Sequence, residues 1–138
     1  MKTLVVFLGS RIAGDDTAGY SLYVELKDKL NARMEYIGTD LFRLYGCYGG
    51  EEKIIIVDAV YGVKDIIHLD NNEIFNLEEK SKDAHFISAI EALKILREVM
   101  ENFPEKVHLI GIPAKNLNKV TYDKNMLKRA IKKLMEII

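Results

Sequence analysis

The amino-acid sequence predicts an α/β fold, in which helices cover both faces of a mostly parallel central sheet of about five strands. Strand and helix patterns alternate along the chain, and the strand patterns are continuous apolar runs, as in sheets that are covered on both faces. Size supports the same prediction, since 138 residues with 49% hydrophobic and 30% charged side chains fit one globular domain. We therefore expect a single α/β domain that spans residues 1–138.

The first half of the chain predicts three strands and two helices. Residues 4–8 form an apolar run that Gly9 ends, residues 34–37 form a second strand pattern, and residues 54–57 form a β-branched third one that Asp58 ends. A helix follows the first strand, because apolar residues recur at every fourth position: Ala18, Leu22, Leu26 and Leu30. A short helix is expected near residues 41–45.

The second half predicts further strands and two longer helices. Residues 65–79 hold two short apolar stretches around a polar turn, which predicts either a strand with an irregular excursion or a hairpin. A helix is expected from residue 86 to about residue 100, with Asp83 as its N-cap. Residues 107–112 predict a buried strand that Pro113 stops, and residues 124–138 predict an amphipathic last helix.

Composition argues against several classes of protein. The chain has 20 basic and 21 acidic residues, a balance unlike that of nucleic-acid binders or polybasic membrane proteins. Cys47 is the only cysteine, so no intrachain disulfide and no Cys-built metal site can form, and a cytoplasmic location is expected. No apolar run approaches the ~18 residues of a membrane span, and the N-terminal run is too short for a signal peptide.

The loop after the first strand has the glycine spacing of a phosphate-binding loop without its chemistry. Gly9 and Gly14 are spaced as in GxxxxGK(S/T), but Asp15 and Asp16 stand where Lys and Ser or Thr are needed, and they would repel a phosphate. The chain contains no GxSxG motif, and Cys47 has no evident histidine partner. A serine or cysteine hydrolase is therefore not supported.

Three side chains are candidates for a metal-binding crevice: Asp16, Asp58 and His85. Ligands bind beyond the carboxyl ends of parallel strands, where strand order reverses, and we expect the first strand to lie beside the strand of residues 54–57 at this point. A histidine that opens the later helix can point into the same crevice. One nitrogen and two oxygen donors suit nickel, zinc, manganese or iron.

Each candidate also has a structural interpretation. Asp15 and Asp16 can cap the helix that follows, for which one aspartate suffices, and Asp58 can bond nearby backbone amides in a turn. Of the other two histidines, His108 lies inside the last strand pattern and is expected to pack, whereas His68 is expected to pack or to face solvent.

Four segments, taken together, resemble a known family. They occur in the expected order over nearly the whole chain: Gly9-Ser10 with Gly14-Asp15-Asp16 and Gly19, then Ile55-Ile56-Val57-Asp58-Ala59-Val60, then Ala84-His85, then Leu109-Ile110-Gly111-Ile112-Pro113. This combination is similar to the nickel–iron hydrogenase maturation endopeptidases of the HycI/HybD type. The resemblance implies a three-layer α/β/α fold around a largely parallel sheet.

The resemblance also implies a function, that of an endopeptidase that removes a short C-terminal extension from the nickel-loaded large-subunit precursor of a nickel–iron hydrogenase. The family's metal ligands correspond to Asp16, Asp58 and His85, which would contact the nickel of the substrate, so that no cofactor is permanently bound. The implied partner is the hydrogenase large-subunit precursor, with no nucleic acid and no membrane span. We expect a cytoplasmic monomer, and the sequence does not choose which hydrogenase is the client.

Two motifs depart from the family pattern, both beside the expected site. The usual GxGN is Phe7-Leu8-Gly9-Ser10, and the usual DDGxG is Asp15-Asp16-Thr17-Ala18-Gly19. Two other functions stay open at this point: a non-proteolytic α/β module that recognises a protein partner, and a metal-dependent hydrolase that acts on small substrates. The 15 lysines and 16 isoleucines, with two prolines, suggest a thermophilic archaeal source.

Overall fold

A computed structural model describes residues 2–76 and 87–138. Its strands are β1 Thr3–Phe7, β2 Arg33–Tyr36, β3 Lys53–Tyr61, β4 Ile67–Leu69 and β5 Lys106–Ala114. Its helices are α1 Ala18–Leu26, α2 Leu44–Cys47, α3 Asn71–Phe75, α4 Ile87–Val99 and α5 Lys124–Ile137. Short 3₁₀ helices, Gly14–Thr17 and Leu41–Arg43, precede α1 and α2.

The five strands form one sheet in the order β2-β1-β3-β5-β4. All neighbours are parallel except β4, which runs antiparallel to β5. This arrangement confirms the mostly parallel sheet that the sequence predicts. The chain passes from β1 to β2 on one side and then to β3 on the other, so strand order reverses between β1 and β3.

Helices cover both faces of the sheet, because neighbouring residues of a strand point to opposite faces and both sets are apolar. One core, on the side of α3 and α4, contains fully buried strand residues such as Val6, Ile54, Ile56 and Leu109. The other core, on the side of α1 and α5, contains Val5, Phe7, Ile55 and Ile110. The predicted three-layer α/β/α fold is therefore confirmed.

Two strands run past the residues that were predicted to end them. Asp58 lies inside β3 and Pro113 lies inside β5. The reason is pairing, since β3 and β5 stay in register as far as Tyr61 and Ala114, whereas the partner of β5 on its other side, β4, covers it only as far as Gly111. Beyond Gly111, no strand of the described residues pairs with that side of β5, and a residue without an N–H is tolerated there.

The expected capping of α1 by an aspartate is wrong. Its N-cap is Thr17, which makes no side-chain cap hydrogen bond, and the aspartates before it have other partners. The helix also ends at Leu26, one turn before the apolar repeat ends at Leu30, because Lys27 has a non-helical backbone and Asp28 has φ +64°. Leu30 still packs, partly buried, against the core below α1.

The segment after β4 forms a helix rather than a hairpin. Asp70 is the N-cap of α3 and forms a reciprocal capping box with Glu73. The polar segment that was predicted to be a turn is therefore the beginning of a helix. The predicted N-cap of α4, Asp83, lies outside the described residues, as does His85. In residues 2–76 and 87–138, no helix combines the length and apolarity that a membrane crossing requires.

Candidate active site

The carboxyl ends of β1 and β3 lie side by side at the point where strand order reverses. Leu8 follows β1 directly, and its N–H donates to the carbonyl oxygen of Val57 at 2.9 Å. The next residue of β3 is Asp58, whose strand continues after β1 has ended. Asp58 therefore lies at the edge where ligands bind in sheets of this type.

Two glycines bring the first loop close to this edge. Gly9 has φ +138°, and a Cβ on it would lie 2.3 Å from the carbonyl oxygen of Asp16. Gly19, in the first turn of α1, would place a Cβ 2.0 Å from the carbonyl oxygen of Leu8. Since both separations are far below van der Waals contact, only glycine fits. These contacts seat the 3₁₀ helix that carries Asp16 against the end of β1.

Asp16 is half-buried and accepts one hydrogen bond through its carboxylate. The donor is the N–H of Ser10, which lies 3.0 Å from Oδ2 and also 3.1 Å from the main-chain oxygen of Asp16. Burial raises the pKa of Asp16 above its ordinary value, although the hydrogen bond from Ser10 acts in the opposite direction. Among the described residues, no side chain donates to this carboxylate.

Asp58 is the second carboxylate of the crevice. Its Oδ1 accepts the N–H of Ala59 at 2.8 Å. Burial raises the pKa of Asp58 to about 7, the hydrogen bond from Ala59 opposes this shift, and the negative charge of Asp16 adds to it. The structure thus places the two aspartates within electrostatic reach of each other, and near neutral pH Asp58 is close to its titration midpoint.

Asp15 is fully buried and lies outside the open crevice. Its Oδ2 accepts the N–H groups of Lys115 at 2.7 Å and Asn116 at 3.1 Å, and Thr121 donates both its N–H and its hydroxyl to the same carboxylate. Burial by itself raises the pKa of Asp15, but these hydrogen bonds outweigh it and hold the pKa at about 2. Asp15 therefore ties the first loop to the loop of residues 115–121.

The third predicted ligand, His85, lies outside the described residues. Over residues 2–76 and 87–138, no group of three or more His, Cys, Asp or Glu side chains is placed to hold a metal ion. Asp16 and Asp58 offer carboxylate oxygens, which nickel accepts together with imidazole nitrogen. The donor chemistry of the pair fits the metal, and the three-ligand set stays a prediction.

At two positions where the motifs depart from the family pattern, the side chains have partners of their own. Ser10 Oγ accepts the N–H groups of Ile12 and Ala13, both at 3.0 Å, which shapes the first loop. The Thr17 hydroxyl lies 2.7 Å from the Tyr122 hydroxyl, just before α5. The first loop, in which the family pattern is changed, is therefore stabilised by hydrogen bonds within itself and by a contact with Tyr122.

Tyr61 was not predicted from the sequence. Its hydroxyl is buried and has no hydrogen-bond partner in the described part of the chain. Burial raises its pKa, and the charges of Asp16, Asp15 and Asp58 raise it further. The sequence feature that could have indicated this residue is its position three residues after Asp58.

His68 and His108 meet across β4 and β5. His68 Nε2 lies 2.9 Å from His108 Nδ1, and the two rings stack with centroids 5.1 Å apart. The expectation that His108 packs is confirmed, since it is half-buried, and His68 packs against it. Burial lowers the pKa of both rings and thereby favours their neutral forms.

Residues 21–138 match the family model described as HycI, hydrogenase maturation protease. The chain belongs to the hydrogenase maturation protease family. The NiFe hydrogenase maturation protease HybD from Thermococcus kodakarensis is 34% identical, with a TM-score of 0.75 over 99% of this chain and 96% of that chain. Protein FrxA of Pyrococcus furiosus is 37% identical over 129 residues, which are 91% of this chain and 93% of that protein. The hydrogenase maturating endopeptidase HybD from E. coli shares the fold, with a TM-score of 0.73 at 22% identity over 99% of this chain and 91% of that chain.

Family membership confirms the resemblance seen in the sequence. Hydrogenase maturation proteases are peptide-bond hydrolases that process the hydrogenase large subunit, and the chain is an enzyme of this class. A non-proteolytic binding module and a small-substrate metallohydrolase are not favoured. The family match begins at residue 21, after Asp16, so the role of Asp16 rests on its place in the loop.

Proposed function

We propose that this maturation protease removes a C-terminal extension from the large-subunit precursor of a nickel–iron hydrogenase once nickel has been inserted. The observation that carries the proposal is the pair Asp16 and Asp58 at the reversal of strand order. Each carboxylate accepts one backbone N–H and, among the described residues, no side-chain donor. Partly buried carboxylates with so few partners are costly for the fold, and capping does not account for them.

A divalent cation would relieve the repulsion between these carboxylates. A ligating carboxylate must be ionised, so nickel binding displaces the proton from those molecules in which Asp58 is protonated near neutral pH. We propose that the nickel of the substrate docks between Asp16 and Asp58, with His85 as the third ligand. A metal-free precursor offers no positive charge to the pair, and this makes cleavage conditional on metal insertion.

The reaction is hydrolysis of one peptide bond. Water adds to the carbonyl carbon, the C–N bond breaks, and the leaving amine takes up a proton. Nickel held beside that bond would polarise its carbonyl group or activate the attacking water. The contribution of this chain is positional, because Asp16 and Asp58 fix the nickel and thereby the bond next to it.

Single substitutions at the three ligands test this proposal. Asp16→Asn, Asp58→Asn and His85→Ala should each abolish release of the extension from nickel-loaded precursor, measured by mass spectrometry, while circular dichroism stays that of the folded protein. Asp65→Asn is the matched control, since Asp65 is an exposed aspartate that pairs with Arg129 on the surface. Undiminished cleavage by both aspartate variants would contradict the site assignment.

The same assay distinguishes the proposed protease from the two less favoured functions. A partner-recognition module would bind the precursor and leave the extension attached. A hydrolase with a resident metal would retain that metal through purification, and a chelator would inactivate it before any substrate is added. The proposed protease instead cleaves nickel-loaded precursor after its own treatment with chelator, and it leaves metal-free precursor intact.

A further inference from the structure

A second cavity opens at the carboxyl edge of the sheet, beside the acidic crevice. It has a volume of about 390 Å³, and the first loop and the turn after β2 line it. The N–H of Gly9 donates to the carbonyl oxygen of Gly38 at 2.9 Å and joins these two walls. Ser10 belongs to both places, because it lines the cavity and its N–H donates to Asp16. The cavity and the crevice are therefore neighbours, with Ser10 between them.

The cavity is basic, whereas the crevice is acidic. Arg11 and Arg43 line it, and within residues 2–76 and 87–138 neither forms an ion pair. Asp40 also lines the cavity, but its Oδ1 accepts the N–H of Phe42 at 3.0 Å. This bond caps the 3₁₀ helix that carries Arg43. Asp40 keeps its negative charge, so Arg11 and Arg43 leave the lining with one net positive charge. Within the described residues, both guanidinium groups are without an ion-pair partner and can bind a ligand.

Aromatic rings hold the Arg11 side chain in place. Its guanidinium carbon lies 5.2 Å from the centroid of the Tyr20 ring and 5.5 Å from that of Tyr36. The two rings meet edge to face with centroids 4.9 Å apart, and the Tyr36 hydroxyl donates to the carbonyl oxygen of Gly9. A guanidinium on a ring face keeps its N–H groups for other acceptors, and its restricted motion reduces the entropy lost on binding.

We propose that this cavity binds a carboxylate of the polypeptide that occupies the crevice. The inference rests on the proposed function, since a peptide held at Asp16 and Asp58 would reach the cavity by extending past Ser10, which borders both places. Arginine recognises planar carboxylates through paired N–H donors, and two arginines here converge on one open space. The carboxylate belongs either to an Asp or Glu side chain of the substrate or to its C-terminus.

The opposite charges of the crevice and the cavity would orient the substrate. The nickel-bearing part of the precursor meets Asp16 and Asp58, and a negative group meets Arg11 and Arg43. A peptide bound in the reverse direction would place its carboxylate beside the acidic pair, which like-charge repulsion disfavours. The cavity is thus a specificity element and not a source of catalysis.

Binding measured without cleavage tests this proposal. The intact protein, labelled with nitrogen-15, is titrated with three blocked tripeptides and followed by its backbone amide resonances. The first peptide is acetyl-Gly-Gly-Gly with a free C-terminus, the second is amidated acetyl-Gly-Glu-Gly, and the third is amidated acetyl-Gly-Gln-Gly, which carries no charge. We expect saturable shifts at Gly9, Ser10 and Gly38 with at least one of the charged peptides and none with the neutral one.

Arginine variants link the shifts to the cavity. Arg11→Gln and Arg43→Gln should each weaken binding about fivefold, as expected for an exposed ion pair, whereas Lys128→Gln on α5 should not change it. Thermal unfolding of each variant shows whether it is folded. The charged peptide that binds identifies the source of the carboxylate as side chain or C-terminus.

Three results would overturn the proposal: no saturable shift at millimolar peptide, equal shifts with the neutral peptide, or unchanged affinity in the folded Arg11→Gln/Arg43→Gln double variant. The proposed protease function is tested separately by processing of the nickel-loaded precursor. A protein that binds charged peptides but leaves that precursor uncut would contradict the protease assignment and support the cavity assignment. A protein that cuts the precursor but binds no charged peptide would do the reverse.

Discussion

Asp15 and Asp16 are adjacent in the sequence but have different roles in the fold. The carboxylate of Asp15 is fully buried and accepts four hydrogen bonds from the loop of residues 115–121. Within the described residues, the carboxylate of Asp16 accepts one N–H, and it lies at the open crevice. Charge-assisted hydrogen bonds stabilise the ionised form of Asp15, whereas Asp16 gains little from its surroundings.

Replacing each of these aspartates by asparagine should separate stability from activity. Asp15→Asn loses acceptor capacity for Thr121 and the neighbouring amides, and we expect the free energy of unfolding to fall by about 2 kcal/mol at pH 7. Asp16→Asn should unfold at the same urea concentration as wild type, or a higher one, and lose processing. Equal stability of the two variants in urea unfolding would contradict this distinction.

The contribution of Asp15 should also depend on pH. Its pKa is about 2 in the folded protein, below the ordinary value of 3.8, so its stabilisation is fully present above about pH 4. As the pH falls from 4 toward 2, this stabilisation is lost. The difference in unfolding free energy between wild type and Asp15→Asn should therefore narrow over that range, in urea titrations at matched ionic strength.

The pKa of Asp58 is shifted in the opposite direction to that of Asp15, so its effect on stability has the opposite dependence on pH. Its pKa is raised to about 7 from 3.8, so the folded state binds a proton that the unfolded state releases between these values. The charged carboxylate therefore destabilises the free protein fully above pH 7, and this cost is absent below about pH 4. Asp58→Asn keeps the acceptor for Ala59 and should raise the free energy of unfolding by roughly 1–3 kcal/mol at pH 8.

The comparison for Asp58→Asn is thermal unfolding of both proteins at pH 8 and pH 4. A gain at pH 8 that is missing at pH 4 supports a carboxylate kept for function at the expense of stability. A loss of stability at pH 8 would show that Asp58 has a stabilising partner when ionised.

At the scale of secondary-structure elements, the close packing of α1 against the end of β1 determines where Asp16 lies. Gly19→Ala would place a methyl group 2.0 Å from the carbonyl oxygen of Leu8. The helix must shift to relieve this contact, and we expect a loss of about 1–3 kcal/mol in unfolding free energy. Processing should fall as well, because the 3₁₀ helix moves with α1.

Gly46→Ala is the matched control for this substitution. Gly46 lies in α2, and a Cβ on it meets nothing within 4 Å. Alanine is the better helix former by about 1 kcal/mol, so this variant should be as stable as wild type or more so, with full activity. If the two alanine variants behave alike in urea unfolding and in processing, the close approach at Gly19 has no role.

The pairing of β4 with β5 creates an acid-sensitive contact between His68 and His108. Burial lowers the pKa of both rings, so the neutral pair stabilises the fold above about pH 6.5, and this contribution is lost as the unfolded chain takes up protons below that value. The charged groups around the pair act in both directions: Lys53, Lys106 and Lys133 lower these pKa values, and Asp70, Glu73 and Glu136 raise them.

A double variant tests this contact. Between pH 7 and pH 5, wild type should lose more unfolding free energy than His68→Gln/His108→Gln, which has no imidazole to protonate. Carboxylates titrate in both proteins and cancel in the difference. Parallel pH profiles in urea unfolding would rule out a linkage between this pair and the fold.

For the whole molecule, the topology brings together acids that are 42 positions apart in the sequence. Strand order β2-β1-β3-β5-β4 makes β1 and β3 neighbours, and the loop after β1 then reaches the edge where Asp58 lies. The sequence predicted this neighbourhood because a buried parallel sheet has a general rule for where its ligands bind. Hydrophobic patterns predicted β1, β2, β3 and β5, since burial on one or both faces leaves a periodic pattern, and they predicted β4 as part of either an irregular strand or a hairpin.

The sequence-based predictions were wrong or missing where a residue's hydrogen-bond or packing partners come from distant segments of the chain. Asp15 reads as a helix cap from its neighbours, yet its donors lie 100 residues away or more. Asp58 and Pro113 read as strand ends, yet β3 and β5 support each other beyond both. The cavity of Arg11 and Arg43 and the buried hydroxyl of Tyr61, which has no partner among the described residues, have no local sequence pattern.

The sequence by itself determined the α/β class, the strands, the family resemblance and the two aspartates of the crevice, because these depend on local periodicity and on residue types at strand ends. Tertiary structure alone decided which of the adjacent aspartates is buried, how far β3 overhangs β1, and which charges surround Asp58. The physical reason is that burial, hydrogen bonding and electrostatic interactions depend on which residues are close in the folded structure, and these can be far apart in the sequence. Two aspartates with nearly the same sequence context therefore differ in pKa and role once the loop of residues 115–121 has folded onto one of them.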